Sequence, residues 1–224
     1  MNSKYHSFIK AFVIAVLIFV FGILVGVLIE NNRAEISNNL FFNSETSYFD
    51  FQLQSQMMTD TNTSCIQIQS QAVILADKIF SEAVQLENYA HSNQITSDLL
   101  PIHRRYDLLR TLLWNNLLSV DEDCHSHFNI LIYFYKYRSP DVVTDGKQQA
   151  MSNKLGDLKD KYGNKIILIP IAVDTGIDSL QPLMKKYNIT NIPAILVNEK
   201  YKIEDINELK GLDSLLSNSQ TQQS

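Results

Sequence analysis

Nineteen consecutive uncharged, mostly apolar residues run from Ala11 to Ile29, between Lys10 and Glu30. At about 1.5 Å rise per residue this stretch spans roughly 28 Å, the hydrocarbon thickness of a bilayer, and predicts a transmembrane helix over 11–29. Residues 34–60 carry apolar side chains without a clean period and are expected to be helical. Further on, apolar positions 72, 75, 76, 79, 80, 83, 86 and 90 recur at spacings of three and four and predict a helix over 66–90. Positions 99, 102, 106, 109, 113 and 117 do the same for 99–118. Pro101 is tolerated there only because it falls in the first turn, where its missing N–H is harmless. The polar stretch between these helices, with Thr96 and Ser97 as candidate N-caps, is short enough to force an antiparallel pair.

From residue 128 the pattern changes to strands alternating with helices. Apolar runs at 128–137, 165–174 and 192–198 read as buried strands, and 201–206 as a fourth after a tight turn. Between them, 144–162 reads as a helix closed by Gly163, and 178–188 as a second with Asp178 as N-cap; a last helix covers 209–216. The order is β-α-β-α-β-β-α, an α/β class. Strand-helix-strand units imply parallel pairing, whereas the last two strands form an antiparallel hairpin. Pro170 cannot donate to a ladder, which assigns the second strand to a sheet edge.

Charge adds a direction to the span. Lys4 and Lys10 precede it without an acidic residue, so the positive-inside rule places residues 1–10 in the cytoplasm and the rest of the chain outside. A cleaved signal peptide has an apolar core of about 7–15 residues and a small-residue cleavage site. The "ENNRAEIS" that follows has no such site, so a retained anchor in the cell membrane is expected rather than cleavage. Of 19 basic and 24 acidic residues, 16 and 23 lie beyond residue 33, a formal charge of −7. Such a surface repels nucleic acid, and no nucleic-acid partner is expected. Within the span, Ala11, Ala15, Gly22 and Gly26 share one helix face, where a second copy could approach closely. Small residues are also common in membrane helices for no such reason.

Cys65 and Cys124 are the only cysteines. Flanking the helical pair, they come to the same end of it, and outside the cytoplasm they are candidates for a disulfide. That bond would close a loop of about 60 residues, worth about 4 kcal/mol in the chain-entropy model. The alternative is two separate free thiols. Cys124 neighbours His125 and His127, but one-residue spacings without a second ligand cluster do not suit tetrahedral zinc. No metal or cofactor is expected. Asp121, Glu122 and Asp123 would raise the pKa of a thiol at Cys124 and so disfavour a nucleophile. Asn62 and Asn188 each begin a triplet of the glycosylation type.

The element order over 126–218, and the stretch "LMKKYNITNIPAILVNEKYKI" at 183–203, resemble the thioredoxin superfamily. The resemblance implies a thioredoxin-like domain over 125–218, preceded by a helical segment over 30–124 and followed by a polar tail at 219–224. It also implies a cis bond at Ile192–Pro193. In that family a pair of cysteines opens the helix after the first core strand, its thiolate held by the helix N-terminus. Here Val143 and Gly146 fall where those cysteines would stand, so dithiol exchange at this position is chemically excluded. What the resemblance leaves is a peptide-accepting groove lined by Val143, Gly146, Ile192 and Pro193, or residues that merely preserve the fold.

Three functions are then in competition. One is a membrane-anchored, redox-inactive module binding an unidentified protein client, in a chaperone-like way. Another is a thiol-disulfide oxidoreductase using Cys65 and Cys124. The third is a structural subunit of a membrane complex, held through Gly22 and Gly26.

Overall fold

The computed structural model describes residues 3–57, 62–91, 100–124, 128–139 and 141–221. Its elements are α1 (Ser3–Met57), α2 (Asn62–His91), α3 (Leu100–Cys124), β1 (Asn129–Tyr135), α4 (Val142–Tyr162), β2 (Ile166–Ala172), α5 (Leu180–Lys186), β3 (Ala194–Val197), β4 (Tyr201–Ile203) and α6 (Leu209–Thr221). Two short 3₁₀ turns precede β2 and α6. The anchor and the segment after it, read separately from the sequence, fall in the single helix α1. Two compact units divide the chain, Met1–Phe42 and Asn43–Ser224.

The first unit contains the apolar stretch Phe8–Ile29, 22 residues with a mean hydropathy of 3.3 and no buried side chain. A helix of that length and composition is long and apolar enough to cross a bilayer.

The second unit holds a four-stranded mixed sheet in the order β2-β1-β3-β4. β1 and β2 pair in parallel, with Tyr133 opposite Pro170. This follows from the crossover through α4, which returns the chain to start β2 at the same end of the sheet as β1. β2 lies on the edge, where Pro170 removes no bond from the ladder. The second strand-helix-strand unit departs from the sequence reading. α5 has only seven residues, and β3 pairs with β1 rather than with β2, antiparallel instead of parallel. β4 then pairs antiparallel with β3. Their three-residue connection carries Asn198 and Glu199 at φ 47° and 58°, and Lys200 N–H donates to Val197 C=O at 3.1 Å.

On one sheet face, Leu131, Tyr133, Ile195, Val197 and Ile203 pack against Met151, Leu155 and Leu158 of α4 and Leu209, Leu212 and Leu216 of α6. α4 buries residues 148, 151, 155 and 158 at helical spacing, and Gly163 at φ 55° ends it. α2 and α3 pack against each other and against β2. The expected core positions Ala72, Leu75, Ala76, Ile79, Tyr106, Leu109, Leu113 and Leu117 are buried, but Phe80 is 43% exposed. Ser44, Tyr48 and Phe51 form the buried face of this part of α1. Ser44 donates to Glu82, and Ser55 to Asn116 at 3.3 Å.

Three local expectations are corrected or lie elsewhere. Asp178 does not cap α5, because the helix starts later, after Ser179, which makes no side-chain capping bond. Cys65 sits inside α2, and Cys124 is the last residue of α3, since each helix is longer than its apolar period. Thr96, Ser97, His125 and His127 lie outside the described residues.

Candidate functional site

The first turn of α4 sits where the resemblance implies sulfur chemistry. Asp141 caps it, its carboxylate accepting from the N–H groups of Val143 and Thr144, both at 2.9 Å, and from the Thr144 hydroxyl at 2.9 Å. These bonds, led by the Thr144 N–H, hold the Asp141 carboxyl below its ordinary range. Val143 is 69% exposed, and a Cβ added at Gly146 would meet nothing within 4 Å. The positive end of this helix is therefore already occupied by a carboxylate, and neither Val143 nor Gly146 carries a nucleophile.

Ile192 and Pro193, joined by a cis peptide bond, line a cleft of about 610 Å³ together with Lys147, Thr190, Lys202 and Glu204. Lys147 follows Gly146 directly, whereas Val143 and Gly146 are not among the lining residues. The cleft is polar. Asn191 Nδ2 donates to Glu204 at 3.0 Å, and Lys202 pairs with Glu204 at 3.1 Å while donating to Asn188 C=O at 2.8 Å. Burial raises the Glu204 carboxyl, but the bonds from Asn191 and Lys202 more than offset it, and the net shift is downward.

A larger groove, about 1120 Å³, is bounded by α2, α3 and α4 along the β2 edge. At its floor lies a charge cluster that the sequence did not flag. Asp107 is fully buried; Arg110 Nη1 donates to it at 3.1 Å and Thr175 at 3.3 Å. Burial pushes the Asp107 carboxyl up, against the Arg110 charge and the Ala172 N–H that favour its anion. His103 packs against Tyr137, with 4.0 Å between ring centroids and the rings tilted by 36°. Burial and then Arg110 lower it to about 4, so it is neutral at physiological pH. The only local signal for this cluster was an acid and a base three residues apart beside the apolar stripe of α3, and Thr175 is 68 residues from Asp107.

Gln148 joins the end of β1 to α4. Its amide accepts from Lys136 N–H at 2.7 Å and donates to Lys136 C=O at 3.2 Å, as a neighbouring strand would. Cys65 is half-buried and disulfide-bonded. The side chain of Cys124 lies outside the described residues. Among the described residues no three His, Cys, Asp or Glu side chains converge as a metal site. No protein-family model matches this chain, and no curated protein matches it in sequence.

Proposed function

We propose that this chain is a single-pass membrane protein with a cytoplasmic N-terminus and a thioredoxin-like unit outside. In this reading it is redox-inactive and binds an extended segment of a protein client beside Ile192 and Pro193. The observation that carries the reading is the first turn of α4: Val143 and Gly146 supply no thiol, and the Asp141 carboxylate takes the N–H groups that would stabilise a thiolate. The β-α-β-α-β-β-α order, with the second strand on the edge, supports the thioredoxin-like assignment. Lys4 and Lys10 before the span support the orientation. An extended client segment would bind through main-chain hydrogen bonds, which require no cysteine. Cys65 pairs with Cys124 in this reading, as a structural bond.

Two measurements on the full-length protein in membranes test it. A photo-crosslinking residue at Thr190 should capture a client that the same residue at Lys210 does not, and Pro193→Ala should abolish the capture. Equal capture at both positions overturns the binding role. Insulin disulfide reduction should remain at background. Turnover that disappears with Cys124→Ser would instead establish the oxidoreductase.

A further inference from the structure

The β2 edge is closed at both ends and open in the middle. Val173 N–H donates to Tyr135 C=O, so the odd-numbered residues of β2 face β1. Ile166, Leu168, Pro170 and Ala172 therefore point their main-chain groups outward. At one end, Ile166 N–H is bonded to Gly163 C=O, and Ile166 C=O accepts from Lys159 Nζ at 2.9 Å. Lys159 also pairs with Asp77 of α2 at 2.7 Å, tying α2 to α4 across the edge. At the other end, Ala172 N–H donates to Asp107, and Ala172 C=O accepts from Thr175 at 3.2 Å. Between them, Leu168 N–H, Leu168 C=O and Pro170 C=O have no partner among the described residues, and both residues line the larger groove. Arg110 lines the same groove. It is only 6% exposed, and its Nε–H has no hydrogen-bond partner.

We infer that this groove is a second peptide site, independent of the Ile192–Pro193 cleft, which takes a short extended segment of another protein as an added strand on β2. A strand placed about 4.8 Å from β2 can pair with Leu168 and Pro170. Arg110 is already neutralised by Asp107, so its remaining N–H suits a neutral peptide carbonyl rather than a carboxylate. Side chains of an added strand alternate between two walls. The α2 wall presents Phe80, Ala83 and Val84, and the α4 wall presents Asp157 and Asp160, between which Lys159 is committed to Asp77. The segment that fits alternates apolar and basic residues, with its basic side chains over Asp157 and Asp160.

The test uses full-length protein in a zwitterionic detergent and fluorescence anisotropy with a labelled hexapeptide of alternating valine and lysine. Two further peptides carry N-methyl groups, one on every lysine amide and the other on every valine amide. An added strand turns only alternate amides toward β2, so one methylated peptide should bind at least tenfold more weakly while the other keeps its affinity. Replacing lysine by glutamate should weaken binding at least tenfold, and Asp157→Asn with Asp160→Asn at least fivefold. Pro193→Ala should change nothing, which separates this site from the first. The inference fails if the valine-lysine peptide does not bind saturably. It also fails if both methylated peptides bind alike, or if the glutamate peptide binds as well.

Discussion

The indole N–H of Trp114 donates to the Glu199 carboxylate at 2.9 Å, joining α3 to the β3–β4 turn across 85 residues of chain. The other carboxylate oxygen accepts from the Tyr187 hydroxyl at 2.6 Å, and the Trp114 and Tyr187 rings lie 5.5 Å apart. Trp114 is fully buried and also packs edge-on against Phe134 of β1. One acidic side chain in a turn therefore ties α3 to the β3–β4 turn and to Tyr187.

Glu199→Ala leaves the Trp114 N–H inside the protein without its acceptor, which should cost about 1–3 kcal/mol in urea unfolding. Glu199→Gln keeps an acceptor and should lose less. Trp114 is the only tryptophan, so its emission reports the same event directly. An alanine variant within about 0.5 kcal/mol of the parent, with unchanged emission, would show that the bond contributes little.

Asp107 and Arg110 should behave as a unit. Asp107→Leu alone leaves a buried guanidinium uncompensated and should cost about 3–5 kcal/mol; adding Arg110→Leu should return most of it. The pH dependence has a definite sign. Asp107 has a raised folded pKa, so the folded state holds the extra proton. Its contribution to stability is present below about 3.9, the unfolded value, and is lost as pH rises through the folded one. Asp107→Asn should remove that decline in unfolding titrations across this window.

Asp141 has the opposite sign. Its folded pKa is depressed, so the stability it contributes is present above about 3.9 and is lost as pH falls through the folded value. Asp141→Asn keeps the capping oxygen but not the titration, and should flatten the acid limb of the stability curve. Asp141→Ala should lower stability at neutral pH as well. An unchanged acid limb in the asparagine variant would assign the acid sensitivity to other carboxylates.

If two copies associate through the span, Gly22→Leu with Gly26→Leu should abolish the signal in a membrane two-hybrid assay. An added Cβ at either glycine meets nothing within 4 Å in its own chain, so a loss would report contact between chains. Undiminished association would move the interface off this face.

Patterns that repeat within one element were legible in the sequence. The apolar span, the three-and-four spacing of α2 and α3, the helix stop at Gly163 and the edge position of β2 each depend on a period or a single residue's backbone chemistry. Val143, Gly146, Ile192 and Pro193 could likewise be picked out as positions. The Asp141 carboxylate on the Val143 N–H could not, nor could the charge network around Glu204. Nor could the antiparallel direction of β3, which depends on pairing with β1 some 60 residues earlier rather than on its own residues.

The sequence by itself determined which segments are helix or strand, which face of α2 and α3 is apolar, and that one stretch suits a bilayer, because these follow from local periodicity and hydropathy. Tertiary structure alone decided which polar groups meet: Trp114 with Glu199, Asp107 with Thr175, and Lys159 with the Ile166 C=O at the start of β2. Buried polar atoms must find partners wherever the fold brings them, and that placement is set by the packing of distant elements rather than by neighbours in the chain.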